Sequence, residues 1–151
     1  LDYDPKTGVF IWRVNAGRRM LGKRAGGVIT RRYRQIKLDS KPYLEHRLAW
    51  LYIHRGWPKD QIDHINMETG DNRLENLREA TGSQNLTNCK CHKRNKTKLK
   101  GAHQVEPKCW QANIVVRKKK IYLGRFRSPI EAHTAYMDAA RKYYGEFARA
   151  G

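Results

Sequence analysis

No apolar run in this 151-residue chain is long enough to span a bilayer, and no basic amphipathic helix would let it lie on one. That removes a membrane from the partners to consider. No leader peptide is visible, and a first residue of Leu rather than Met reads as numbering that starts inside a longer chain. Cysteine is scarce and odd in number. Three residues make no disulfide framework, which points to free thiols, a reducing interior and a cytoplasmic, unsecreted protein. The deficit that matters most is of negative charge. Asp and Glu number 14 against 32 Lys and Arg, a formal net charge of +18, so a polyanion is the natural partner.

Apolar residues make up 39% and charged residues 30%, enough for a small core in one domain or two. The charge is uneven. Residues 1–88 hold 16 Lys/Arg and 10 Asp/Glu, whereas residues 89–151 hold 16 and 4. Two-thirds of the excess, +12 of +18, therefore sits in the shorter part. This predicts that the C-terminal part binds while the N-terminal part does chemistry.

Tyr3 to Trp12 reads as a turn, Asp4-Pro5-Lys6-Thr7-Gly8, followed by a strand of β-formers. Short strands at Val28 to Thr30, Tyr33 to Leu38 and Pro42 to Leu44 suggest an antiparallel meander. Its residues Arg31, Arg32, Arg34 and Lys37 either track phosphates or decorate a solvated face. Glu45 to Arg55 predicts a helix ended by Gly56 as its left-handed residue, with Pro58 blocking continuation. Strands at Ile62 to Ile65 and Leu77 to Ala80 flank a polar loop. Thr81-Gly82-Ser83-Gln84 is a capping box that opens a short helix carrying Asn85.

Residues 89–100 hold six Lys/Arg in twelve positions and read as a linker. Extended, it would reach about 40 Å and could lie along phosphates through Lys96 and Lys98. Beyond it, Trp110 to Val116 alternates, with Trp110, Ala112, Ile114 and Val116 on one face and Gln111, Asn113 and Val115 on the other. Arg117 to Lys120 is a charged turn, and Ile121 to Gly124 returns. Ser128-Pro129-Ile130-Glu131 starts a helix whose alanines let it lie close on the sheet.

The most informative residues are Ile62-Asp63-His64-Ile65, followed by Asn66, Asp71, Asn72, Asn76 and Asn85. Adjacent strand residues point to opposite faces unless the backbone bends to bring both onto one phosphate. Amides downstream could complete an oxygen-rich metal site. In a chain of this charge, the combination reads as metal-assisted cleavage of a nucleic acid. An isolated Asp-His pair would read as a turn cap and a satisfied core histidine; the full constellation outweighs that.

His46-Arg47-Leu48-Ala49-Trp50, the Asp63-His64 segment, Asp71 through Arg78 and Thr81 through Asn85 together resemble the HNH endonuclease family, in its phage and mobile-element homing branch. The resemblance covers at least residues 43–88. It implies a ββα-metal core, at about residues 60–88 of a nuclease domain spanning 1–88, with one divalent cation per active site. Asp63 would be the metal carboxylate, Asn85 the second ligand, His64 the general base and Asn76 the residue that orients it. Asn stands at position 85 where many members carry a final His. One carboxylate and one amide oxygen suit Mg²⁺ or Mn²⁺ better than Zn²⁺. Arg78 is a further candidate phosphate contact. His46 is expected to make a structural hydrogen bond.

Trp110 through Ile114, Ile121 through Phe126, Glu131 through Tyr136 and Tyr144 through Ala148 resemble the ethylene-response-factor (APETALA-type) DNA-binding domain. That resemblance implies, over residues 101–151, a three-stranded antiparallel sheet packed on one helix and entering the major groove. Gln111, Asn113, Lys120 and Tyr122 would face DNA, with Arg117 at the turn. Val115 replaces a residue that is often basic. Cys89, Cys91, His92 and Cys109 have the wrong spacing for a zinc knuckle.

The sequence thus predicts an α+β protein, an N-terminal meander and nuclease followed by a DNA-binding module. The expected activity is site-specific endonucleolytic hydrolysis of double-stranded DNA by a monomer, with no obligate protein partner. The alternative is a non-catalytic DNA-binding regulator built on the same modules.

Overall fold

The residues Asp4 to Gly8 fold the N-terminus back on itself. Asp4 accepts from the Lys6 amide at 2.9 Å and the Thr7 hydroxyl at 2.8 Å, and Gly8 takes the left-handed φ of 70° that the turn needs. Strands β1 (Asp2–Asp4) and β2 (Val9–Ile11) pair antiparallel across it. The expected strand is therefore present, and Tyr3 belongs to its partner. A side chain at Gly8 would collide with the backbone of Asn72 and Arg73 at 2.4–2.9 Å, so this hairpin can press on that segment only through glycine.

The structure is a computed structural model that describes residues 1–15, 17, 20–29, 33–89, 91, 95 and 97–149. It is of mixed α and β type, with small antiparallel sheets and three α-helices among the described residues. The chain divides into two compact units, Leu1–Glu79 and Ala80–Gly151.

In the first unit the expected meander is β3 (Gly27–Val28), β4 (Arg34–Leu38) and β5 (Lys41–Leu44), antiparallel in that order. Asp39 and Ser40 both adopt positive φ, 47° and 65°, as a two-residue hairpin turn requires. Thr30, Arg31 and Arg32 lie outside the described residues. Helix α1 (Glu45–His54) follows β5 without a break. Its left-handed closing residue is Arg55, at φ 58°, and not Gly56; the last turn closes one residue early, on the Arg55 amide donating to Leu51. Strands β6 (Gln61–His64) and β7 (Leu77–Ala80) form a two-stranded sheet joined by the polar loop. Tyr3, Phe10, Ile36, Leu48, Ala49, Ile62 and Leu77 make the core.

In the second unit, α2 (Gly82–Asn88) carries the capping box, with Thr81 accepting from the Gln84 amide and Gln84 reaching back to Thr81. Strands β8 (Ala102–Glu106), β9 (Cys109–Val116) and β10 (Lys119–Phe126) form an antiparallel sheet in the order β10-β9-β8. The charged turn is shorter than expected. Arg117 and Lys118 alone take positive φ, 47° and 64°, and Lys119 and Lys120 already belong to β10. Helix α3 (Pro129–Tyr144) is capped by Ser128 accepting from the Glu131 amide. Its Ala132 and Ala140 are fully buried against Ala112 and Ile114, the close approach that small side chains permit.

The end of the basic stretch is built into this unit. Lys100 is buried, its ammonium donating to the Thr87 carbonyl at 2.8 Å near the end of α2 and to the Arg149 carbonyl at 3.2 Å. Leu99 packs on the core and Asn95 donates to its carbonyl. Lys98 is exposed; Lys96 and His92 lie outside the described residues.

Candidate functional site

Asp63 and His64 are the last two residues of β6 and both are buried, at 4% exposure each. Their neighbours differ, as strand alternation dictates. The Asp63 carboxylate accepts from Arg78 of β7 through both Nε and a terminal nitrogen at 3.0 Å. The imidazole of His64 places Nε2 at 3.1 Å from Asn72 Oδ1 and is walled by the rings of His46 (5.1 Å, edge-on) and Tyr33 (6.1 Å).

Asn72 is part of a longer buried chain. Its Nδ2 donates to Glu45 Oε2 at 2.9 Å, and Glu45, at 0% exposure, accepts Arg34 Nε on both oxygens at 3.0 Å. Burial pushes the Glu45 carboxyl up, opposed by Arg34, Arg24 and the Asn72 amide. The carboxylate is accommodated because Gly26 leaves it room: a Cβ there would meet Glu45 Oε1 at 2.8 Å. Burial also lowers the His64 pKa, against the hydrogen bond that its Nε2 makes to Asn72 Oδ1 and the charge of Asp63. That keeps the imidazole neutral and able to accept a proton.

His46 sits beside this chain at the start of α1. Its pKa is pushed down to about 3, by burial first and then by His64 and Arg47. The expected structural hydrogen bond is missing at Nδ1, which is buried without a partner.

The loop after β6 is held by Asn76. Its Oδ1 accepts from the Asn66 amide at 2.9 Å, its Nδ2 donates to the Asp71 carbonyl at 2.8 Å, and its own carbonyl accepts from the Ile65 amide. Asn76 thus clamps the backbone that follows His64, while the amide bonded to the imidazole is that of Asn72. Asp71 in turn is bound by Arg73, which draws its carboxyl down to about 2. Asn85 lies in α2, in the second unit, and is half-buried.

Two arginines with expected phosphate contacts are committed inside the first unit. Arg34 is tied to Glu45 and Arg78 to Asp63, with 14% and 13% of their side chains exposed. Composition cannot distinguish a guanidinium that pairs internally from one that faces solvent.

The second unit presents a different surface. Cross-strand pairing puts Gln111 opposite His103 and Arg125, Asn113 opposite Tyr122, and Val115 opposite Lys120. Gln111 donates to Asn113 Oδ1 at 3.2 Å, and Asn113 Nδ2 stands 3.1 Å from His103 Nε2. Tyr122 and Val115 are 56% and 53% exposed, and Arg117 and Lys120 are exposed beside them. His103 is a member of this face that sequence reading missed; its signal is the alternation of Ala102, buried, with His103, exposed.

A family model of the HNH endonucleases matches residues 43–87, which is 45 of the 151 residues. The matched segment holds Glu45, Asp63, His64, Asn72, Asn76 and Asn85, and it supports an HNH nuclease, a class that acts on DNA and generally uses a divalent metal ion. No curated protein and no solved structure matches the chain. No helix among the described residues is long and apolar enough to cross a membrane.

Proposed function

We propose that this chain is a site-specific DNA endonuclease of homing type, in which the N-terminal part hydrolyses phosphodiesters and the C-terminal part selects the site. The observation that carries the reading is the buried Asp63-His64 pair at the end of β6, inside the segment that matches the endonuclease family. A regulator that only binds DNA has no use for a desolvated imidazole adjoining a carboxylate.

His64 acts as the general base, taking the proton of the attacking water so that hydrolysis leaves a 5′ phosphate and a 3′ hydroxyl. Asn76 holds the loop that follows it. The donor chemistry fits a hard divalent cation: Asp63 supplies a buried carboxylate, the oxygen donor that Mg²⁺ and Mn²⁺ prefer, which a bound ion would share with the Arg78 guanidinium. Asp63 and Asn85 are the residues that would hold one Mg²⁺ or Mn²⁺. When bound, such an ion supplies neutralisation of charge at the scissile phosphate and the leaving 3′ oxygen.

In the second unit, Gln111, Asn113, Lys120 and Tyr122, with Arg117 at the turn, form the DNA-reading face of an ethylene-response-factor-type module. Asn and Gln suit adenine edges, and exposed Val115 suits a thymine methyl. Lys98 and Lys96 contact phosphates without sequence preference. The test is supercoiled plasmid incubated with Mg²⁺, Mn²⁺ or EDTA. Nicked product with either ion and none in EDTA is expected; cutting that persists in EDTA would overturn the one-metal mechanism.

A further inference from the structure

Glu45, Asn72 and His64 form a chain in which each hydrogen bond fixes the direction of the next. The Glu45 carboxylate accepts Arg34 on both oxygens, so it is an acceptor only. The group that Asn72 turns to it at 2.9 Å must therefore be the NH₂. The planar amide then presents its oxygen to His64, 3.1 Å from Nε2. An amide oxygen only accepts, so the hydrogen between them belongs to His64. A neutral imidazole with its hydrogen on Nε2 carries its lone pair on Nδ1.

Asn72 has little freedom to choose otherwise. It is 1% exposed, its carbonyl accepts from the Tyr3 hydroxyl at 2.7 Å, and Gly8 lets the β1–β2 hairpin press on its backbone. Rotating the amide by half a turn would set its oxygen against the carboxylate. The rings of His46 and Tyr33 limit the swing of the imidazole itself. We propose that Glu45 and Asn72 are positioning residues that lock His64 in the Nε2–H tautomer, making Nδ1 the atom that accepts the proton of water. This rests on the reading of His64 as general base and names the atom that performs it.

The test uses the full chain, ¹⁵N-labelled, at a pH where its histidines are neutral. Long-range ¹H–¹⁵N spectra separate the two neutral tautomers of an imidazole, and the His64 signal is assigned by its loss in His64→Gln. The wild type should show the Nε2–H pattern. Glu45→Gln keeps the shape but can donate as well as accept, which frees the Asn72 amide to turn. His64 should then shift toward the Nδ1–H form, and single-turnover cleavage of plasmid with Mg²⁺ should slow by about 10–100-fold. The DNA concentration for half-saturation should be unchanged. An Nδ1–H pattern in the wild type overturns the proposal without any variant. So does a folded Glu45→Gln chain with unaltered tautomer and rate. A wild type that shows the Nε2–H pattern yet cuts no DNA supports the lock while overturning the nuclease reading.

Discussion

The two units spend their polar residues in opposite ways. In the first, Glu45, Asp63, His64, Asn72 and Asn76 are all buried, and two arginines close the network from inside. In the second, Gln111, Asn113, Lys120, Tyr122 and Arg117 stand at a sheet surface, backed by alanines that let a helix pack closely behind. A buried polar network is costly unless every group is paired, and it orders side chains to fractions of an ångström. An exposed ladder costs little and remains available to a partner. Buried order suits proton transfer, and open polarity suits reading an edge. The net charge agrees, at +6 through residue 79 and +12 beyond it.

The contrast breaks most sharply at His64. Replacing it with Ala should reduce single-turnover cleavage by about 10²–10⁴-fold with DNA affinity unchanged. Next in size is Arg34. Arg34→Ala leaves a fully buried carboxylate short of its main partner and should cost roughly 3 kcal/mol in urea unfolding, whereas Arg125→Ala, on the open face, should stay within about 0.5 kcal/mol. Equal losses in the two variants would erase the distinction between the units.

Smaller effects follow on the reading face. Asn113→Ala should relax discrimination at one base pair by about 1–3 kcal/mol, while Lys98→Ala should weaken all sequences alike and lower the salt slope by about 0.9. Spread over several pH units, and so shallow at any one pH, is the effect of His46. Its folded pKa is depressed to about 3 from 6.5, so the unfolded chain binds the proton first as pH falls. The neutral state's contribution is complete above about pH 6.5. It is lost progressively toward pH 3, at up to about 1.4 kcal/mol per pH unit. His46→Phe should flatten that part of the profile, and a parallel slope in both proteins would assign it to other groups.

Much of this was legible in sequence because it rests on local rules. The capping box at Thr81, the Ser128-Pro129-Glu131 start of α3 and the alternation of β9 each depend on neighbours a few positions away. Asp63 and His64 stand out in the sequence because they adjoin. The hydrogen-bond partner of His64 does not. Asn72 reaches it through a loop clamped by Tyr3, 69 positions away, and answers to Glu45, 27 positions away. Nothing in composition distinguishes Asn72 from the Asn66 and Asn76 that flank it. The internal pairing of Arg34 and Arg78 is hidden from sequence for the same reason, since their carboxylates lie 11 and 15 positions off. Gly56 failed as the end of α1 by one residue, the usual margin for helix ends.

The claim that one part cuts and the other selects is tested most directly by measuring the cleavage rate per bound complex in His64→Ala and Asn113→Ala side by side. Plasmid is titrated to saturation in Mg²⁺ and binding is followed in the same samples. His64→Ala should saturate at the wild-type DNA concentration and cut at least about a hundredfold more slowly. Asn113→Ala should need more DNA and then cut at the wild-type rate. A His64→Ala chain that cuts normally once bound, or an Asn113→Ala chain that binds normally and cuts slowly, would contradict the division of labour.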